Sequence, residues 1–234
     1  MKAEEFATGI LDALDEGLFQ NVYRLASVEL SEVVKDFQNS GSAVQDLADI
    51  RDLDIRVLDK RADRYIRRAK RSAALSGVSL GAAGWLALPP GLIHLVVVAL
   101  RLAQRISLSY GFDYRTDRGE IELWKALAKA VDADVNWEGT EAELLRRLPT
   151  VVTGSNTFSN PLLLKAVQTV VVRLAAAAGL HASRWVPVVG SGTGLVINYL
   201  EVDRIGRRLK ESWRTRHAID DFDPSEAQEV EILR

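Results

Sequence analysis

SAALSGVSLGAAGWLALPPGLIHLVVVAL, residues 72–100, is a stretch without one formally charged residue in a chain that is otherwise densely charged. Pro89 and Pro90 lie inside it. Adjacent prolines remove two N–H donors and push the preceding residue out of the helical region. The stretch is therefore predicted to form two helices, at about 72–87 and about 91–110, joined by a tight turn. The first arm is crowded with small residues: Ala73, Ala74, Ser76, Gly77, Gly81, Ala82, Ala83 and Gly84. Each glycine costs a helix roughly 1 kcal/mol relative to alanine. Several of them in one arm imply that another helix packs very close. Arms of this size are roughly 24–30 Å long, against a bilayer core of about 30 Å. Two readings stay open: a hairpin that enters a membrane, or the buried core of a helical domain.

The segment before the hairpin is strongly basic. Residues 51–71 hold nine bases against four acids, whereas residues 1–50 hold ten acids against Lys2, Arg24 and Lys35. A basic segment beside an apolar one is what an anionic leaflet attracts, at about 1 kcal/mol per Lys or Arg near the surface. On that reading Arg64, Arg67, Arg68, Lys70 and Arg71, with Trp85, Leu86 and Leu88 of the hairpin, are the membrane or partner contacts. Such docking calls for an exposed apolar patch of several hundred Å². On the opposing reading the charged helix is a solvated face.

Farther out, every signal is helical. Leu11, Leu14, Leu18, Val22 and Leu25 recur at three- and four-residue spacing, as on one helix face. Asn39 to Ser42 reads as a turn, and residues 43–71 as one charged helix with an approximate apolar stripe. Thr140 to Glu143 is a capping box, and Asn160-Pro161 marks a helix start, with that helix running to about Gly179. A second Gly-rich apolar run spans residues 185–200, and a basic helix follows to about residue 217. Val186 to Val189 is the only strand-like stretch, and Pro187 argues against it. The acidic segment 220–234, with Pro224, reads as a loosely docked tail.

The composition excludes several classes. The chain has 234 residues, with 47% hydrophobic, 26% charged and a net charge of -2. This is a folded soluble composition without the basic excess of a nucleic-acid binder, so no nucleic-acid partner is expected. The absence of cysteine excludes disulfides, thiolate metal sites and cysteine nucleophiles. Met1 to Glu5 is polar, so no secretory signal is expected and a cytoplasmic location is.

Motifs with chemistry are weak. Gly77-Val78-Ser79-Leu80-Gly81 matches a nucleophile elbow, with Asp113 and His217 following in hydrolase order. The elbow needs a preceding strand, and the preceding residues are Arg67 to Arg71. A hydrolase using Ser79 stays only as an alternative. Gly190 to Gly194 lacks the glycine of a dinucleotide fingerprint at 195 and the lysine of a P-loop. His94, His181 and His217 are too scattered for a metal site, so neither metal nor cofactor is expected. Arg101 and Arg105 lie one turn apart on the second arm. They read as salt-bridge partners of Asp113, Glu120 or Glu122, or as part of a polar site.

The order of features resembles the EcsC protein family. Arg67-Arg68, the small-residue run Gly77 to Gly84, Leu88-Pro89, Leu100-Arg101 and Tyr110-Gly111-Phe112-Asp113 follow the family's pattern. Pro187 to Gly190, Asn198-Tyr199 and Arg207-Arg208 echo its C-terminal block. The resemblance covers about residues 50–215. It departs at Pro90-Gly91, where an acid is usual, and at Ser76, where another is common. The resemblance implies no established activity. It implies a bacterial, cytoplasm-facing protein with a membrane link, similar to one encoded beside an ABC exporter. It also singles out Tyr110, Asp113, Asn198 and Tyr199, which join Arg101 as polar-site candidates.

The expected fold is thus all-α: one domain over residues 1–219, of seven to nine helices built around the Gly/Ala-rich hairpin. The leading functional expectation is a non-enzymatic accessory protein, peripheral at the inner face of the membrane. Its partner would be an anionic membrane surface or a membrane protein such as a transporter. The alternative is a soluble, oligomeric helical interaction module, with a homo-oligomer as one form.

Overall fold

The computed structural model describes residues 16–74, 90–135, 137, 161–177 and 192–220. Among these the fold is all-α, with eight helices and no strand: α1 (Glu16–Ala26), α2 (Leu30–Gln38), α3 (Leu47–Arg51), α4 (Ile55–Ala74), α5 (Pro90–Ser109), α6 (Asp117–Ala130), α7 (Pro161–Ala177) and α8 (Gly192–Asp220).

The second hairpin arm is α5, which starts at Pro90, where proline's fixed φ suits a first helical position. Its apolar sequence is explained by burial. Leu92, Leu95, Ala99, Leu100, Leu102, Ala103 and Ile106 are all within the core, and α1, α4, α6, α7 and α8 all pack on it. The window Leu92–Ser109 is long and apolar enough to cross a membrane, yet 78% of it is buried inside the fold. The first arm and the turn lie outside the described residues, from residue 75 to 89.

Residues 43–71 do not form one helix. The chain breaks at Asp52-Leu53-Asp54. Asp52 is the C-cap of α3, its N–H reaching the Ala48 carbonyl while the Leu53 N–H reaches that of Ile50, and Asp54 caps the start of α4. Asp46 accepts the Asp49 N–H at 3.0 Å at the start of α3, and Asp54 accepts the Arg56 N–H at 2.8 Å at the start of α4. Aspartate at such positions satisfies amides that the first turn leaves free. The apolar periodicity runs across the break and hides it. A second correction concerns Leu25, which is 45% exposed, whereas Val22 is buried. In α1 the buried side is set by Val22 and Ala26.

The longest helix is α8, and it opens inside the Gly-rich run at Gly192. It lies antiparallel to α4 in the largest helix interface of the described residues. A close approach of helices at a glycine is seen within α8. A Cβ on Gly206 would stand 2.7 Å from Ile66 Cγ1 of α4 and 3.2 Å from Leu102 Cδ2 of α5.

Candidate functional site

Helix α4 sorts its residues by side. Leu58, Ala62, Tyr65, Ile66 and Ala73 are buried in the core. Asp59, Asp63 and Lys70 face α8, each within ion-pair reach of it. Arg68 pairs with Asp36 of α2, and Arg61 lies over Phe37 of α2 and reaches Ser40 in the turn after it. Opposite the core lie Arg56, Lys60, Arg64, Arg67 and Arg71. At 3.6 residues per turn these five fall within about 80° of arc. No acid shares that arc.

The two flanks use their charges internally. Toward α8, Lys70 Nζ is 2.8 Å from Asp203, Lys210 Nζ is 2.9 Å from Asp63 and Arg214 Nε is 3.5 Å from Asp59. These rungs hold α4 and α8 in antiparallel register. Burial alone raises the Asp203 pKa, but hydrogen bonds from Lys70 and Arg207 together hold it below the usual carboxylate value. The hydrogen bond to Asp203 in turn raises the Lys70 pKa. Toward α2, Arg68 Nη1 is 2.9 Å from Asp36. Arg61, itself buried, donates to Ser40 Oγ and lies over the Phe37 ring. A shallow groove of about 620 Å³ runs between α4 and α8, with Ile66, Arg67, Lys70, Arg207 and Lys210 among its lining residues.

Arg68 and Lys70 thus already hold carboxylates of the fold, Asp36 and Asp203. The outer stripe is different. Arg56 pairs only with its neighbour Asp54, and that pair is exposed. Among the described residues Lys60, Arg64, Arg67 and Arg71 have no carboxylate within 4.0 Å. From Arg56 to Arg71 the stripe is about 22 Å long at 1.5 Å per residue. At its far end Lys70 also sits 4.3 Å over the ring of Tyr199. Tyr199 and Leu200 are exposed there, 40% and 58%. Among the described residues they are the only adjacent pair of exposed large hydrophobics, the others being Leu25, Val57 and Ile219. Trp85, Leu86 and Leu88 lie outside the described residues.

The remaining polar candidates do not converge. Arg101 is solvent-exposed on α5. Arg105 pairs with Glu32 of α2 at 3.1 Å, not with Asp113, Glu120 or Glu122. The acidic N-terminal segment supplies the partners of Arg68 and Arg105, Asp36 and Glu32, while the other ion pairs of α4 and α8 use Asp54, Asp132 and acids of α4, α6 and α8. Asp113 holds Arg115 at 2.8 Å in the turn before α6, and hydrogen bonds from Arg115 keep its carboxyl below the usual range. The side chain of Asn198, and Ser79 and His181, lie outside the described residues. No group of three His, Asp or Glu suited to a metal ion occurs among the described residues.

Tyr110 to Tyr114 forms a structural node. The buried Tyr110 hydroxyl donates to Asp59 at 2.6 Å, and burial together with that bond raises its pKa, so it stays protonated at neutral pH. Phe112 lies 5.1 Å from the Trp213 ring, and the guanidinium groups of Arg51 and Arg216 each lie 5.0 Å from its centroid. Tyr114 Oη accepts the Val28 N–H at 3.1 Å and donates to the Val28 carbonyl at 2.8 Å. One short segment thereby ties α4, α8 and the α1–α2 connection together. Gly111 makes it feasible. Its φ is +80°, and a Cβ there would meet Arg51 Cβ at 2.8 Å and Arg51 Cα at 3.1 Å. Gly111→Ala combines a left-handed conformation with a backbone clash. It is expected to cost about 2–4 kcal/mol, measured as the loss in urea midpoint at unchanged slope. A loss below about 0.5 kcal/mol would mean that the turn relaxes freely.

The sequence pointed to this segment through its Tyr-Gly-aromatic-Asp pattern, but it suggested a polar site. The outer stripe of α4 was legible only once its flanks were known to be paired. No curated protein and no solved structure matches the chain. The family model described as the EcsC protein family matches residues 5–217. The likeness therefore begins well before residue 50 and includes α1 to α3. Because that match spans most of the 234 residues, the chain belongs to the EcsC protein family.

Proposed function

We propose that this protein is a non-enzymatic accessory protein that docks peripherally on an anionic membrane surface through the outer stripe of α4. The observation that carries this reading is the separation of charge around α4. Its flanking charges are matched within the fold, while Lys60, Arg64, Arg67 and Arg71 are unmatched among the described residues and lie along one side of the helix, with Arg64 half-buried and the other three exposed. A straight row of cations complements a flat anionic surface. Four such cations at about 1 kcal/mol each correspond to roughly a thousandfold partition. Tyr199 and Leu200 supply apolar contact at the Arg71 end, adjoining the point where the uncharged stretch leaves α4. The burial of α5 narrows the earlier expectation: this arm serves as core and the contact is electrostatic. A link to a membrane transporter belongs to the same proposal, as the kind of neighbour a docked protein would meet.

Flotation of the full chain with vesicles of phosphatidylcholine, with and without phosphatidylglycerol, tests the reading. Binding is expected only with the anionic lipid, and to fade as salt shortens the Debye length from about 10 Å to 3 Å. Binding that ignores salt would replace electrostatic docking with apolar insertion. No binding under either condition would favour the alternative, a soluble helical interaction module.

A further inference from the structure

Three features of the charge distribution lie close together. Ion pairs between Lys70 and Asp203, Asp63 and Lys210, and Asp59 and Arg214 fix α4 and α8 antiparallel. Extending that register by six residues from the Asp59–Arg214 pair brings the end of α8 at Asp220 to the level of Leu53, just before the start of α4 and the Arg56 end of the stripe. From there the chain continues as Asp221 to Arg234, with acids at 221, 223, 226, 229 and 231 and a single base, Arg234. The acidic segment thus leaves the fold at one end of the acid-free cationic stripe.

We infer that residues 221–234 are the stripe's intramolecular occupant and compete with an anionic surface for Arg56, Lys60, Arg64, Arg67 and Arg71. This rests on the membrane-docking reading and adds its regulation. Reach and charge both permit it. Fourteen residues extend to at most about 46–50 Å, and the stripe is about 22 Å long. Five carboxylates face five cations. Arg56 is already held by Asp54, which leaves four cations unmatched among the described residues. Each exposed pair is weak and salt-sensitive, so the contact is reversible and yields to a surface of higher charge density. A second basic surface competes as the landing site: the groove of about 400 Å³ between α6 and α8, where Arg118, Lys125, Lys129 and Arg216 line the walls.

Two measurements separate the contact from the docking. The chain has no cysteine, so Ser225→Cys accepts a single spin label. At low salt the label is expected to broaden amide signals of Lys60, Arg64 and Arg67, and the broadening is expected to vanish at high salt. Broadening confined to Arg118 and Lys129 would place the segment in the other groove and overturn the inference, as would no broadening at all. The second measurement uses the full chain with Asp221→Asn, Asp223→Asn, Glu226→Gln, Glu229→Gln and Glu231→Gln. It is expected to bind vesicles of phosphatidylcholine and phosphatidylglycerol roughly tenfold tighter than the unmodified chain. Equal binding would overturn the competition. If neither chain binds but the label broadens α4, the membrane reading falls and the intramolecular contact stands.

Discussion

Trp213→Ala is expected to lower the thermal midpoint by roughly 10 °C, through a loss of about 3–5 kcal/mol. Trp213 is 2% exposed, so its removal leaves a cavity that packed helices fill only in part. The effect should exceed that of an ordinary core truncation because of where the ring sits. It stacks on Phe112, with the Arg216 guanidinium 5.6 Å from its own centroid. Arg216 also pairs with Glu122 of α6 at 2.6 Å. Losing the indole thus loosens Phe112, and with it the segment that holds Asp59 through Tyr110 and Val28 through Tyr114. Trp213 Nε1 has no hydrogen-bond partner among the described residues, so no polar bond is lost. Trp213→Phe, which keeps an aromatic ring, is expected to retain more than half of the difference. Thermal unfolding followed by circular dichroism measures both. A drop under about 3 °C for the alanine variant would show that Phe112 and Arg216 hold the node without it.

The all-α class was legible because the chain offers the three- and four-residue apolar spacing of helices and no surviving strand. The start of α5 at Pro90 was readable to within a residue, since proline acts through covalent geometry that no tertiary contact overrides. The break between α3 and α4 was missed because Asp52 and Asp54 look like any other acids on a charged helix. Their capping role depends on backbone positions that periodicity does not encode. Charge sign along the chain was visible, but pairing was not. The acids at Glu32 and Asp36 meet Arg105 and Arg68 only because α2 packs across α4 and α5. The same holds for Gly206. In sequence it is one glycine in a basic helix, and only the crossing of α8 with Ile66 and Leu102 shows why it is small.

The candidate site was half legible for a related reason. Net charge identified the segment, but five of its bases were grouped as equivalent. The fold divides them, with Arg64 and Arg67 outward, Arg68 toward Asp36, Lys70 toward Asp203 and Arg71 outward. A helix turns by about 100° per residue, so neighbours in sequence face different partners. The Tyr-Gly-aromatic-Asp pattern was likewise visible, but its partners were not: its polar groups are held by Asp59, Val28 and Arg115, which lie far off or at unmarked positions in the sequence.

That division makes the docking proposal sharply testable. The combined replacement of Lys60, Arg64, Arg67 and Arg71 by glutamine is expected to weaken binding to anionic vesicles by roughly a thousandfold, and each single replacement by about fivefold. All four side chains project from the face opposite the core, so the stability change should stay within about 0.5 kcal/mol each. Loss of binding will then not be loss of fold. Arg68→Gln and Lys70→Gln are the opposite case. They remove the same charge from the same helix, but from flanks that face α2 and α8. Arg68→Gln leaves Asp36 without its partner and is expected to cost up to about 1 kcal/mol, as for a largely exposed pair, whereas Lys70→Gln leaves the half-buried Asp203 to Arg207 alone and is expected to cost more. Vesicle binding is expected to fall less than twofold in both. If all six replacements weaken binding equally, only the net charge of the helix matters, and the stripe is not a docking face. If the four outward replacements leave binding intact while the two flank replacements abolish it, the contact lies in the groove between α4 and α8. The stripe survives only if binding follows the direction in which each cation points.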